Sequence, residues 1–134
     1  MVRVTARRQQ GFTHEVEIQG GHHLVIDEPE ESGGANQGPS PTRTLAATLA
    51  ACTAITMEMY AGRKGWELGE VEVEVEMEYA QSAVPNSFVV ILRLSKGLTS
   101  EQVERLKVIA GRCPVHRVLS HDAEVSIEDR VELV

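Results

Sequence analysis

The stretch "GPSPTRTLAATLAACTAITMEMYAGRKGW", residues 38–66, decides how the rest of the chain is read. Pro41 and Thr42 open a helix that continues through small and apolar residues, and Gly62 or Gly65 supplies its C-cap. Arg63 and Lys64 fall beside the negative end of the helix dipole. No charged side chain occurs between Thr44 and Met57, so the helix needs burial on more than one face. A single 134-residue subunit supplies that poorly, and the expectation is a homodimer. Cys52 stands in the middle, with Thr48 and Thr56 four residues to either side on its own stripe. Ala46, Ala47, Ala50, Ala51 and Ala54 leave room for another backbone to come close.

Upstream, "VRVTAR" (2–7), "FTHEVEIQ" (12–19) and "HHLVID" (22–27) alternate apolar and polar residues and are separated by Gly11 and Gly20-Gly21. Three short strands in a meander follow from that spacing. The segment 28–41, "EPEESGGANQGPSP", has no periodicity and reads as a long loop, of a length often associated with function or mobility. Downstream, "EVEVEVEMEYA" (70–80) puts Val71, Val73, Val75, Met77 and Tyr79 on one face and five glutamates on the other, a strand with one wet face. The glutamate row reads as a solvated face and not as a metal site. "SFVVILRLS" (87–95) is apolar on both faces and predicts a central strand. Thr99 and Gln102 form a capping box for a helix over 100–112, a short helix begins at Pro114, and "AEVSIE" (123–128) predicts a last strand. Helices and strands are partly segregated, which makes the class α+β with a mainly antiparallel sheet.

The chain is 42% hydrophobic but only 4% aromatic, so the core is aliphatic. Its length fits one domain, residues 1–134. Twenty acidic residues against 13 basic ones give a net charge of −7, which argues against a nucleic-acid partner. There is no signal-like segment and no unbroken run of about 18 apolar residues, so neither secretion nor a membrane span is expected. In a reducing cytoplasm, two cysteines point to transient redox chemistry or metal binding before a structural staple.

The second thiol, Cys113, lies in "GRCPVHRVL" directly before Pro114, a preferred first residue of a helix. At that N-cap the dipole and free N–H groups favour a thiolate, and His116 and Arg117 bring positive charge one turn on. A cysteine merely tolerated at a cap explains the spacing equally well. A metal site from Cys113 and His116 with His22, His23 or His121 has only Cys-x-x-His to support it.

The G-P-S-P lead into an alanine-rich helix with a central cysteine, together with the later "RCPVHRVL", resembles the OsmC/Ohr-like family (osmotically inducible protein C and organic hydroperoxide resistance proteins). The resemblance covers essentially the whole chain and is nearest to the OsmC-like branch. It implies an intertwined homodimer, with mainly antiparallel sheets packed on long central helices and active sites at the subunit interface. It also implies a peroxidase without a cofactor or metal, acting on organic hydroperoxides in oxidative-stress defence. Cys52 is then the residue that becomes a sulfenic acid, and Cys113 the one that resolves it to a disulfide, which a lipoyl-type dithiol reduces. Thr48, Thr56, His116 and Arg117 are candidates to support the site. In the strongest peroxidases a glutamate just after the motif proline pairs with an arginine that polarises the thiolate. Here Thr42 and Arg43 stand there, and the nearest N-terminal arginines are Arg7 and Arg8. Slow peroxide reduction is therefore expected. The competing reading is a small-molecule binding or redox and sulfur-handling protein on the same fold, with little peroxidase activity.

Overall fold

The computed structural model describes residues 1–134, in the order β1 (Val4–Gln10), β2 (Thr13–Ile18), β3 (His22–Ile26), α1 (Pro41–Lys64), β4 (Glu72–Tyr79), β5 (Pro85–Arg93), α2 (Ser100–Ala110) and α3 (Pro114–Leu119). The α+β class and the antiparallel pairing are as the patterns indicate. The chain forms two compact units: Met1–Ala47 with Met77–Ser87, and Thr48–Glu76 with Phe88–Val134.

In the first unit β1, β2 and β3 form an antiparallel meander, with Ala6 opposite Val16 and Val16 opposite Leu24. This register gathers Val4, Ala6, Val16, Ile18, Leu24 and Ile26 on one face, as the period-2 alternation requires. The opposite face carries Arg7, Glu15, Glu17 and His23, where Arg7 pairs with Glu17 at 3.0 Å and His23 with Glu15 at 3.0 Å.

The long loop after β3 is knotted to the sheet by Asp27, a buried residue with no place in the sequence reading. Its Oδ2 accepts from Thr13 Oγ1 at 2.7 Å and from the Gln37 N–H at 3.1 Å. Its Oδ1 accepts from the N–H groups of Glu28 at 2.7 Å and Ala35 at 3.4 Å. One carboxylate thus supplies acceptors to backbone that no strand satisfies, the requirement that any buried loop must meet. Gly34 and Gly38 complete the fit, because a Cβ on either would collide with the carbonyls of Glu28 and Val25.

In the second unit the buried residues of α1 are Leu49, Thr53, Met57 and Ala61, a single four-residue stripe. Met57 and Ala61 pack with Leu68, Leu106 and Ala110 as the core, closed by Trp66, Val71, Val73 and Leu92. The helix is 24 residues long, and an 18-residue window of it has a mean hydropathy of 1.2, enough by length and composition for a membrane span, but its buried stripe enters this core. The helix stops where Gly65 turns left-handed at φ 72°, with the Gly65 and Trp66 N–H groups returning to the carbonyls of Gly62 and Ala61. Thr99 and Gln102 make the reciprocal capping box of α2.

Two expectations fail. The segment 123–128 is not a strand, and β5 is not central, since β4 is its only hydrogen-bonded neighbour. Both failures share a cause. The alternation in 123–134 is real, but within one chain no strand edge lies against it, so Ile127 and Val131 are each 86% exposed. An extended segment without a partner leaves its backbone to water.

The Asp27 knot makes loop stability pH-dependent. The Thr13 hydroxyl and three backbone N–H groups outweigh the cost of burial and hold the carboxyl at about 2, below its ordinary 3.8. A depressed carboxyl stabilises fully above its unfolded value and loses that contribution as pH falls through the folded one. The hydrogen-exchange protection factors of residues 28–38, taken relative to the intrinsic rate at each pH, are expected to be unchanged from pH 7 to about 5 and to fall between about 4 and 2. Asp27→Ala should show the low protection at every pH.

Candidate functional site

Cys52 and Cys113 come together inside the second unit. Cys52 occupies the middle of α1 next to the buried Thr53, and Cys113 is the N-cap of α3, with Pro114 in the first turn. Local chemistry explains the second placement. Helix α2 ends after Ala110, the Cys113 N–H returns to the Ala110 carbonyl at 3.3 Å, and proline then restarts a helix without needing an N–H donor. Both cysteines are free thiols, with Cys113 fully buried and Cys52 half-buried. The two thiols are near enough for Cys52 to act on the ionisation of Cys113.

Burial works against the thiolate that the cap favours at Cys113. Burial first, and then the hydrogen bond and charge of Cys52, push the Cys113 thiol above its ordinary value. The N–H groups of His116 and Val115 act in the opposite direction but are outweighed, and no full capping hydrogen bond forms on the sulfur. Six residues of helix make a weak dipole, while removal from water penalises the charged form directly. Burial therefore favours the neutral thiol at Cys113.

The supporting residues expected from sequence are distributed unevenly. His116 lies in α3 beside Cys113 and lines two small cavities. One, of about 170 Å³, is walled by Leu49, Phe88, Val90 and Leu119, and the other, of about 150 Å³, by Thr53, Val90, Leu92 and Ala110. Cavities of roughly this size hold one benzene-sized apolar group. Arg117 turns away: its Nε donates to Asp122 Oδ2 at 3.2 Å. The Thr56 hydroxyl donates to the Cys52 backbone carbonyl at 2.7 Å, the ordinary back-bonding of a helical threonine, and is not offered to the thiol. Thr48 lies on the exposed side of α1. Arg7 and Arg8 belong to β1 in the first unit, where Arg7 is held by Glu17. Of the histidines weighed as metal ligands, His22 and His23 lie in β3 of the first unit, and Cys113 and His116 in the second.

Sequence reasoning missed the walls of these cavities. Val90 and Leu92 were legible only as apolar residues of a strand, and nothing in their spacing shows that they face His116.

A family description for OsmC-like proteins matches residues 33–128, and the chain belongs to that family. No curated protein sequence matches. Among solved structures, an osmotic-stress-induced and detoxification response protein of Psychrobacter arcticus is 19% identical over 88% of each chain, with a TM-score of 0.80. An organic hydroperoxide resistance protein of Legionella pneumophila is 25% identical over 89% of this chain and 88% of its own, with a TM-score of 0.66. The organic hydroperoxide resistance protein OhrB of Bacillus subtilis is 25% identical over 88% and 89%, with a TM-score of 0.55.

The protonated, buried state of Cys113 predicts an order of reaction. At pH 7, iodoacetamide should label Cys52 well before Cys113, as read by peptide mass, and unfolding should equalise the two. Cys113 labelling in the folded chain should begin only above the ordinary thiol range of about 8.5. Cys52→Ala, which removes the neighbouring sulfur, should bring that onset to lower pH.

Proposed function

We propose that this protein is a thiol-dependent peroxidase that reduces organic hydroperoxides in oxidative-stress defence. The observation that carries the reading is the placement of two free thiols in one unit, a half-buried Cys52 on α1 and a buried Cys113 at the start of α3. The Cys52 thiolate attacks the O–O bond. A sulfur–oxygen bond forms, the oxygen–oxygen bond breaks, and the departing alkoxide takes a proton to leave as an alcohol. Cys113 sulfur then displaces the hydroxyl of the Cys52 sulfenic acid, its proton leaving with that hydroxyl as water, so two thiols and one hydroperoxide become a disulfide, an alcohol and water. A dithiol of the lipoyl type restores both thiols by exchange. The cavities beside His116 suit the apolar body of a small alkyl or aryl hydroperoxide. The 25%-identical relatives named as organic hydroperoxide resistance proteins support the same chemistry.

The working form is a cytoplasmic homodimer. Beyond its buried stripe, α1 leaves Ile55 52% and Met59 59% exposed, and the strand-like C-terminal segment has no partner edge within its own chain. Apolar area of this kind is normally covered in an assembly.

A second reading, a small-molecule binding or sulfur-handling protein with little peroxidase activity, draws on one observation. Where the strongest peroxidases carry a glutamate, the Thr42 hydroxyl is instead hydrogen-bonded to the Tyr79 hydroxyl at 2.7 Å.

Intact mass after one equivalent of cumene hydroperoxide decides between them. The wild type should lose two hydrogens per chain and yield a peptide joining Cys52 to Cys113. Cys52→Ser should consume no peroxide, and Cys113→Ser should be oxidised once and then stall with a trappable sulfenic acid. An unreacted wild type would favour the second reading.

The dimer has its own measurement. Sedimentation at micromolar concentration should give twice the chain mass of 14.7 kDa, and deletion of residues 123–134 should shift the protein toward monomer.

A further inference from the structure

The structure assigns a second binding site, for a small aromatic carboxylate, to the groove between the end of α1 and the outer side of α2. The groove is about 640 Å³, within the size range of small-molecule sites, and no residue of the thiol site lines it.

Its inner wall is aromatic and fixed. Tyr60 and Trp66 meet edge to face, with ring centroids 5.6 Å apart and planes at 73°, and both pack on the core of the second unit. Such a pair offers apolar ring surface without needing to reorganise. Its cations are already placed. Arg105 donates from Nε to the Tyr60 hydroxyl at 2.9 Å and lies 5.5 Å from the centre of that ring, and Lys64 Nζ lies 5.7 Å from the same centre. Arg112 adds its charge at the Tyr60 hydroxyl.

None of these cations is held in a salt bridge. The ion pairs of the chain use Arg7, His23, Arg93, Arg117 and Arg130, but not Lys64, Arg105 or Arg112. Two cations in no salt bridge, Lys64 and Arg105, thus bear on one phenol ring in a protein of net charge −7. The other polar residues do not compete for a ligand, since Thr99 and Gln102 are engaged in capping α2. What remains is a set of donors: the terminal nitrogens of Arg105, the Lys64 ammonium and the Tyr60 O–H. A planar guanidinium fork matches a carboxylate. Glu101 and Glu104 also line the groove, and they penalise a dianion such as phosphate more than a monoanion.

Trp66 is the only tryptophan of the chain, so its fluorescence reports this groove alone. Benzoate titrated into the intact protein at constant ionic strength, with excitation at the red edge of the indole band, should change the emission saturably. Benzamide, of the same shape without the charge, should bind at least about tenfold more weakly, because charge-assisted hydrogen bonds are roughly twice as strong as neutral ones. Arg105→Gln should raise the benzoate midpoint about tenfold or more by the same reasoning. Lys64→Gln changes an exposed side chain with no hydrogen bond to lose and should raise it severalfold without altering the fold, while Cys52→Ser should leave it unchanged. The assignment is overturned if no saturation occurs, if benzamide matches benzoate, if inorganic phosphate displaces benzoate at equal concentration, or if both cation variants bind as the wild type does.

Discussion

The thiol pair depends on the packing of α1 against α2. Met57 and Ala61 meet Leu106 and Ala110 in one core, and the residues on either side of that contact are the functional ones. Cys52 precedes Met57 by five residues on α1, and Cys113 follows Ala110 after a three-residue advance of the chain. Once the aliphatic side chains are buried together, the short step from Ala110 has little freedom, and the proline that restarts a helix directs the sulfur inward. Truncating a side chain as fully buried as Leu106 would cost about 2–5 kcal/mol. It would also loosen the packing that positions both thiols.

That geometry divides the two thiols by environment. Cys113 is withdrawn from water and kept protonated, whereas Cys52 remains half-open on a helix face. A pair in which one partner retains its proton and the other is reachable suits sequential chemistry, with oxidation of the accessible sulfur preceding its condensation with the buried one. The local helix start, which by itself favours a thiolate, is overruled because desolvation acts on the whole charge and the dipole of a six-residue helix on a fraction of it.

The first unit shows the same reliance on one polar group. Asp27 satisfies four donors from both sides of a loop that would otherwise be a long structureless excursion. The loop is thereby a folded part of the sheet, and its glycines are accounted for by close approach of backbone to backbone.

By itself the sequence determined the periodic and the punctuated features. These are the three-stranded meander, the wet-faced strand with its glutamates, the capping box at Thr99 and Gln102, the glycine end of α1, and Cys113 as an N-cap before proline. Each follows from interactions within a few residues, which local pattern records. The motif pair around Cys52 and Cys113 also carried the family. Tertiary structure alone decided the rest, because long-range packing and desolvation leave no fixed spacing. It set Val90 and Leu92 beside His116 and made Asp27 the anchor of the loop. It also left the alternating segment after residue 122 without a partner strand. Alternation specifies which faces a strand would have, but a strand forms only where another edge is present to receive its hydrogen bonds.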